Sequence, residues 1–144
     1  MHAETSLPCD PSSVRVARQF VTAELAEAGF PDTAFAATLL VSELITNAVL
    51  HAGTEIRLVI DGGGDHIRIA VHDGSDRAVR RRRHSLDAAT GRGLMMVDQL
   101  AVDWGVEKTP PGKAVWFTLP TSGEAIAGAE PDLDMFLAFD ESLG

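Results

Sequence analysis

The sequence predicts an α+β two-layer sandwich, a mainly antiparallel sheet covered on one face by three helices. Three observations carry this. Two long stretches near the start have helical periodicity. Two later stretches alternate apolar and polar residues in pairs. A short apolar helix pattern separates the pairs. The order α-α-β-β-loop-α-β-β gives strands in antiparallel pairs, and amphipathic helices then have to cover one sheet face.

The first helix is expected to begin near Val14, capped by Ser12 or Ser13 after Pro8 and Pro11. Val14, Ala17, Val21, Leu25 and Ala28 recur at three- and four-residue steps, and Gly29 ends the pattern. Asp32, with Pro31 before it, is expected to cap a second helix. That helix runs through Phe35, Leu39, Leu40, Leu44, Ala48 and His51 and stops at Gly53. The period then becomes two. Ile56, Leu58 and Ile60, then Ile67, Ile69 and Val71, alternate with their neighbours across the turn Gly62-Gly63-Gly64-Asp65, a hairpin with one buried face. Residues 74–91 lack a period and read as a loop, long enough to suggest a functional segment. A third helix is expected over 94–101. Val102–Val106 and Lys113–Leu119 form a second strand pair around a Pro-Pro-Gly turn. Three regions follow: a flexible N-terminus (1–10), one domain (11–120) and an acidic tail (121–144) that ends in a short amphipathic pattern.

With 144 residues the chain can bury a sizeable core. Its lone cysteine, Cys9, cannot form an intramolecular disulfide, and no Cys/His cluster has zinc spacing. The first residues have neither the basic nor the apolar region of a secretory signal. The longest apolar runs fall well short of the roughly 18 residues of a membrane span. The expectation is a cytoplasmic protein with no membrane association. The net charge of −9 argues against direct binding of nucleic acid. Six of those charges lie after Pro120, at Glu124, Glu130, Asp132, Asp134, Asp140 and Glu141, where no Lys or Arg occurs. The opposite extreme is the basic run Arg80 to Arg83.

Four segments could carry chemistry. Glu43, Asn47 and His51 share one helix stripe, with about 6 Å of rise between successive members. An Asn oxygen is a hard donor that suits Mg²⁺. A Glu one turn away can orient or deprotonate a hydroxyl. A solvated helix face carrying the same residues fits the spacing equally well. Asp73-Gly74-Ser75 follows a buried strand, where a carboxylate can accept from an exocyclic amine such as that of adenine; an ordinary Asp-Gly turn has the same sequence. Gly91-Arg92-Gly93-Leu94 opens the third helix, and its backbone N–H groups could meet an anion. It matches neither a Walker loop nor a dinucleotide fingerprint. Gly112-Lys113, leading into Val115-Trp116-Phe117, could close a pocket or belong to the core.

In this order and spacing the segments resemble the histidine-kinase-like ATPase superfamily (the Bergerat ATP-binding fold), and within it the small anti-sigma-factor serine kinases of the RsbW and SpoIIAB type. The matching stretches are Leu40 to Ala52, Val71 to Ser75, Gly91 to Val97, Trp104-Gly105 and Gly112 to Trp116. The resemblance implies that Asn47 ligates Mg²⁺ on the ATP phosphates and that Glu43 is the catalytic base. Asp73, beside Gly74, would hold the adenine amine. Gly91, Arg92, Gly93 and Leu94 would cradle the phosphates, with Lys113 and Thr118 as further pocket members. It also implies a serine/threonine-protein kinase acting on an anti-anti-sigma (STAS-type) protein and sequestering a sigma factor. A non-catalytic, nucleotide-gated binding module is the alternative. Relatives often dimerise, so a homodimer is among the expectations. The loop 76–90 lacks a second glycine cluster, and the acidic tail lies outside the resemblance.

Overall fold

The computed structural model describes residues 1–75 and 100–121. They form β1 (His2–Leu7), α1 (Ser12–Glu27), α2 (Pro31–His51), β2 (Ile56–Gly63), β3 (His66–Asp73), β4 (Asp103–Thr109) and β5 (Gly112–Pro120). The five strands make one antiparallel sheet in the order β1-β2-β3-β5-β4. Most of the expected third helix, the Arg80 to Arg83 run and the acidic tail lie outside the described residues. Of 94–101, only Leu100 and Ala101 are described; Leu100 is buried in the core and Ala101 packs against it.

Alternation along the strands sorts the sheet into two faces. Ile56, Leu58 and Ile60 of β2, Ile67, Ile69 and Val71 of β3, and Val115, Phe117 and Leu119 of β5 are buried in one core. Against them packs α2, whose apolar residues surround most of its circumference, and α1 packs on α2 through Ala17, Val21 and Leu25. The helix ends differ in detail from the sequence expectation. At the start of α1 neither Ser12 nor Ser13 caps. Asp10 takes that part, its carboxylate accepting from the Ser12 backbone N–H and hydroxyl. Pro31 is at the first position of α2, so Asp32 lies inside the first turn, where its charge faces the positive end of the helix dipole. The end of α1 is as expected. Gly29 adopts φ +92°, its N–H reaches Ala26 O at 3.1 Å, and Phe30 N–H reaches Leu25 O at 2.8 Å. This is the paired closure that a left-handed residue permits.

Two expectations change. The segment expected to be a flexible N-terminus contains an edge strand. β1 pairs with β2 from His2↔Asp61 to Leu7↔Ile56. Arg57 bonds Glu4 at 3.0 Å, and the N-terminal ammonium donates to Gly62 O at 2.6 Å. Ala3, Thr5 and Leu7 are the less exposed positions, a period-two pattern that two small or polar residues hide. The second change concerns α2. By length and composition it is apolar enough to cross a membrane, which a count of uninterrupted apolar residues passes over. Most of it is buried within the fold, and its run includes Glu43 and Asn47.

Candidate functional site

Glu43 and Asn47 are each only 2% exposed. That removes the solvated-face alternative. A carboxylate and an amide in a core-facing helix are costly unless something offsets their lost hydration. Among the described residues Asn47 Oδ1 is buried and has no hydrogen-bond partner. His51, one turn further, is half-buried. The helix carrying this stripe packs on β3 and β5, the two strands that carry Asp73 and Lys113.

Asp73 is the last residue of β3 and stands directly opposite Lys113 of β5. Both side chains lie on the helix-covered face and are 5% exposed. The Lys113 ammonium donates to both carboxylate oxygens, each at 3.1 Å. Ser75 N–H adds a bond to Asp73 Oδ1 at 2.9 Å, closing an Asx turn. A carboxylate has about four acceptor positions, so these three donors leave Asp73 able to take another. Thr54, to which the sequence assigned nothing, fixes the turn: its hydroxyl accepts from Gly74 N–H at 2.8 Å. Nothing in the spacing of Thr54 signals this, because the contact joins the α2–β2 connection to the end of β3.

Gly112 explains how tightly β5 begins beside Asp73. A Cβ at this position would lie 1.8 Å from Asp73 O and 2.6 Å from Gly74 Cα. Only glycine lets the two strands approach so closely there.

Thr118 does not belong with these residues. Its register partners are Arg68 and Asp103, and its hydroxyl donates to Asp103 O at 3.4 Å. It points to the opposite sheet face from Lys113, because five residues separate them and side chains alternate. Gly91, Arg92, Gly93 and Leu94 lie outside the described residues. The structure therefore brings Asp73, Gly74 and Lys113 together, places Glu43 and Asn47 on the helix above their strands, and separates Thr118.

Oxygen donors of this kind fit a magnesium ion in a particular way. Among the described residues no group of three His, Cys, Asp or Glu side chains could hold a metal. Mg²⁺ keeps waters and substrate phosphate oxygens and needs only one or two protein oxygens. A single buried amide oxygen, Asn47 Oδ1, matches that requirement.

A buried acid and amide on a core helix, and a carboxylate at the end of a strand under that helix, sit within a match to the histidine kinase-like ATPase domain that covers residues 7–119. The chain belongs to that family, and its domain is of the ATP-binding kind. A crystal structure of the RsbU and RsbW domains of a Mycobacterium tuberculosis protein has a similar fold. The TM-score is 0.64 at 20% identity, over 83% of this chain and 32% of that one. This chain thus spans about a third of the length of that structure. A comparison with curated proteins gave no match.

Proposed function

We propose that this protein is a Mg-ATP-binding regulator that acts in the cytoplasm as a serine/threonine-protein kinase. Its substrate would be an anti-anti-sigma protein of the STAS type, and it would sequester a sigma factor. The observation that carries the proposal is the burial of Glu43 and Asn47, four residues apart, on the helix that packs over the strands of Asp73 and Lys113. The family match supports ATP use, and the likeness to an RsbW-containing structure supports the choice of partner class.

In this reading Asp73 accepts the amine of the base, and Gly74 follows it at the strand end. Asn47 holds the magnesium ion through Oδ1, and Gly91, Arg92, Gly93 and Leu94 supply the phosphate end. When bound, the ion neutralises charge on the phosphates, which is most of what phosphoryl transfer asks of its catalyst. Glu43 accepts the proton of the substrate serine hydroxyl. Its burial removes the carboxylate from bulk water, one helical turn from Asn47.

The test is transfer of labelled phosphate from ATP to candidate partner domains. Glu43→Ala should lower the rate by about a hundredfold or more while ATP still binds, in keeping with the usual value of a general base. Unchanged transfer in this variant would remove Glu43 from the role of base. No transfer with any partner, together with ATP-dependent partner binding that Glu43→Ala leaves intact, would favour the non-catalytic module.

A further inference from the structure

We infer that Thr54 is a positioning residue for the base site: acting through Gly74, it fixes the strand end that carries Asp73. The inference rests on the nucleotide-binding reading above. The β2–β3 ladder ends at the pair Ile56↔Asp73, so the next N–H along the chain, that of Gly74, lies beyond it. Thr54 supplies the missing partner with its side chain. Its hydroxyl accepts from Gly74 N–H at 2.8 Å and donates to Glu55 O at 3.3 Å. A hydroxyl has one proton to give and two lone pairs, so with the proton turned to Glu55 the oxygen is left to accept from Gly74. The rest of the side chain covers the same turn. A Cβ at Gly74 would lie 3.5 Å from Thr54 Cβ and 3.6 Å from Thr54 Cγ2.

β3 lies between β2 and β5, and its end is held from both sides. Thr54 bounds the turn from the β2 side, and Gly112 crowds Asp73 O and Gly74 Cα from the β5 side. The restraint reaches the carboxylate through the next residue: Ser75 N–H donates to Asp73 Oδ1 at 2.9 Å, so a shift of Gly74 displaces one of the donors that orient Asp73. The contact also ties this strand end to the helix that bears Asn47. Thr54 follows the end of α2 closely, after Gly53 turns the chain at φ +69°. Gly74 itself is exposed, so water can take its N–H when the hydroxyl is gone. Losing the hydroxyl therefore costs the fold little and loosens the base acceptor instead.

The experiment titrates the full chain by calorimetry, at saturating Mg²⁺, with ATP and with purine riboside triphosphate, which is ATP without its C6 amine. Thr54→Val removes the hydroxyl and keeps the shape; Thr54→Ser keeps the hydroxyl. Thr54→Val should weaken ATP binding by about threefold or more, the scale of one hydrogen bond, while Thr54→Ser stays within about twofold of the wild type. The amine-free nucleotide has no donor for Asp73, so the wild type and Thr54→Val should bind it alike. A smaller loss of ATP affinity in Thr54→Val, an equal loss in Thr54→Ser, or an equal loss for both nucleotides would overturn the inference. The last is what a purely structural role would give. If Thr54→Val does not fold, Thr54→Ala is compared with Thr54→Ser, which lacks the same methyl, and the same criteria decide. A wild type that binds no ATP, or binds the two nucleotides equally, would instead strike the nucleotide reading on which the inference rests.

Discussion

At the scale of single residues, the buried pair Asp73–Lys113 is sensitive to the loss of either member. With both side chains only 5% exposed, removing one partner leaves a charge without its counter-ion in a poorly hydrated place. Breaking such a pair typically costs about 3–5 kcal/mol, while neutralising both members together costs far less. Lys113→Met should therefore lower stability to urea by an amount in that range. The double variant Asp73→Asn, Lys113→Met should recover much of the loss. Equal destabilisation in the single and double variants would show that packing, not charge, sets the cost. Asp73→Asn alone also bears on binding, because it turns part of the acceptor into a donor. ATP affinity should fall by about tenfold or more, measured by displacement of a labelled nucleotide. Asn47 stands differently. Its Oδ1 forms no bond among the described residues, so its worth lies in what it can bind.

Elements position these residues, and Gly112 shows how. The β3–β5 pair closes so tightly at its end that any side chain would collide with the Asp73 carbonyl. Gly112→Ala should destabilise the fold by at least about 2 kcal/mol, since backbone atoms and not a flexible side chain must give way. It should weaken nucleotide binding too, by moving Asp73 away from Lys113. Chemical denaturation and nucleotide titration would check the two effects separately. The same elements show how far sequence reading reaches. α1, β2, β3 and β5 were legible because each buries one face with its own period, as Ala17-Val21-Leu25 and Ile67-Ile69-Val71 do, and α2 because its apolar residues continue over a helical length. β1 was not, because Ala3 and Thr5 are too small and polar to mark its inward face. Glu43 and Asn47 could be found from their shared stripe, but their burial could not be read from spacing. Lys113 lay in a strand that reads equally well as core; only the register that sets it against Asp73 gives it a role. Thr118, which the resemblance alone suggested, lies on the opposite sheet face from Lys113. Proximity to Lys113 in sequence says nothing of the sheet face, which five residues reverse.

At the scale of the whole molecule, one sheet face is covered by helices and holds the site, while the other carries Arg57, Arg68, His72 and Trp116. The Arg68 guanidinium lies over the Trp116 ring at 5.0 Å and meets Glu107 at 3.6 Å. Burial holds His72 below its ordinary value of 6.5, and Arg57 and Arg68 act in the same direction. The unfolded chain therefore takes up a proton on this ring at a higher pH than the folded one. The stability involved is complete above pH 6.5 and is lost as pH falls through the lower folded value. The melting temperature of the wild type should drop between neutral and mildly acidic pH by more than that of His72→Gln; parallel curves would assign the acid sensitivity elsewhere. This face bears on stability, whereas the account of function depends on the covered face. Titration of ATP into the wild type and into Asn47→Ala, each with and without Mg²⁺, tests that account most directly. Mg²⁺ should strengthen ATP binding by the wild type, and Asn47→Ala should abolish most of that gain while the variant remains folded. Equal Mg²⁺ dependence in the two proteins, or no ATP binding by the wild type, would contradict it.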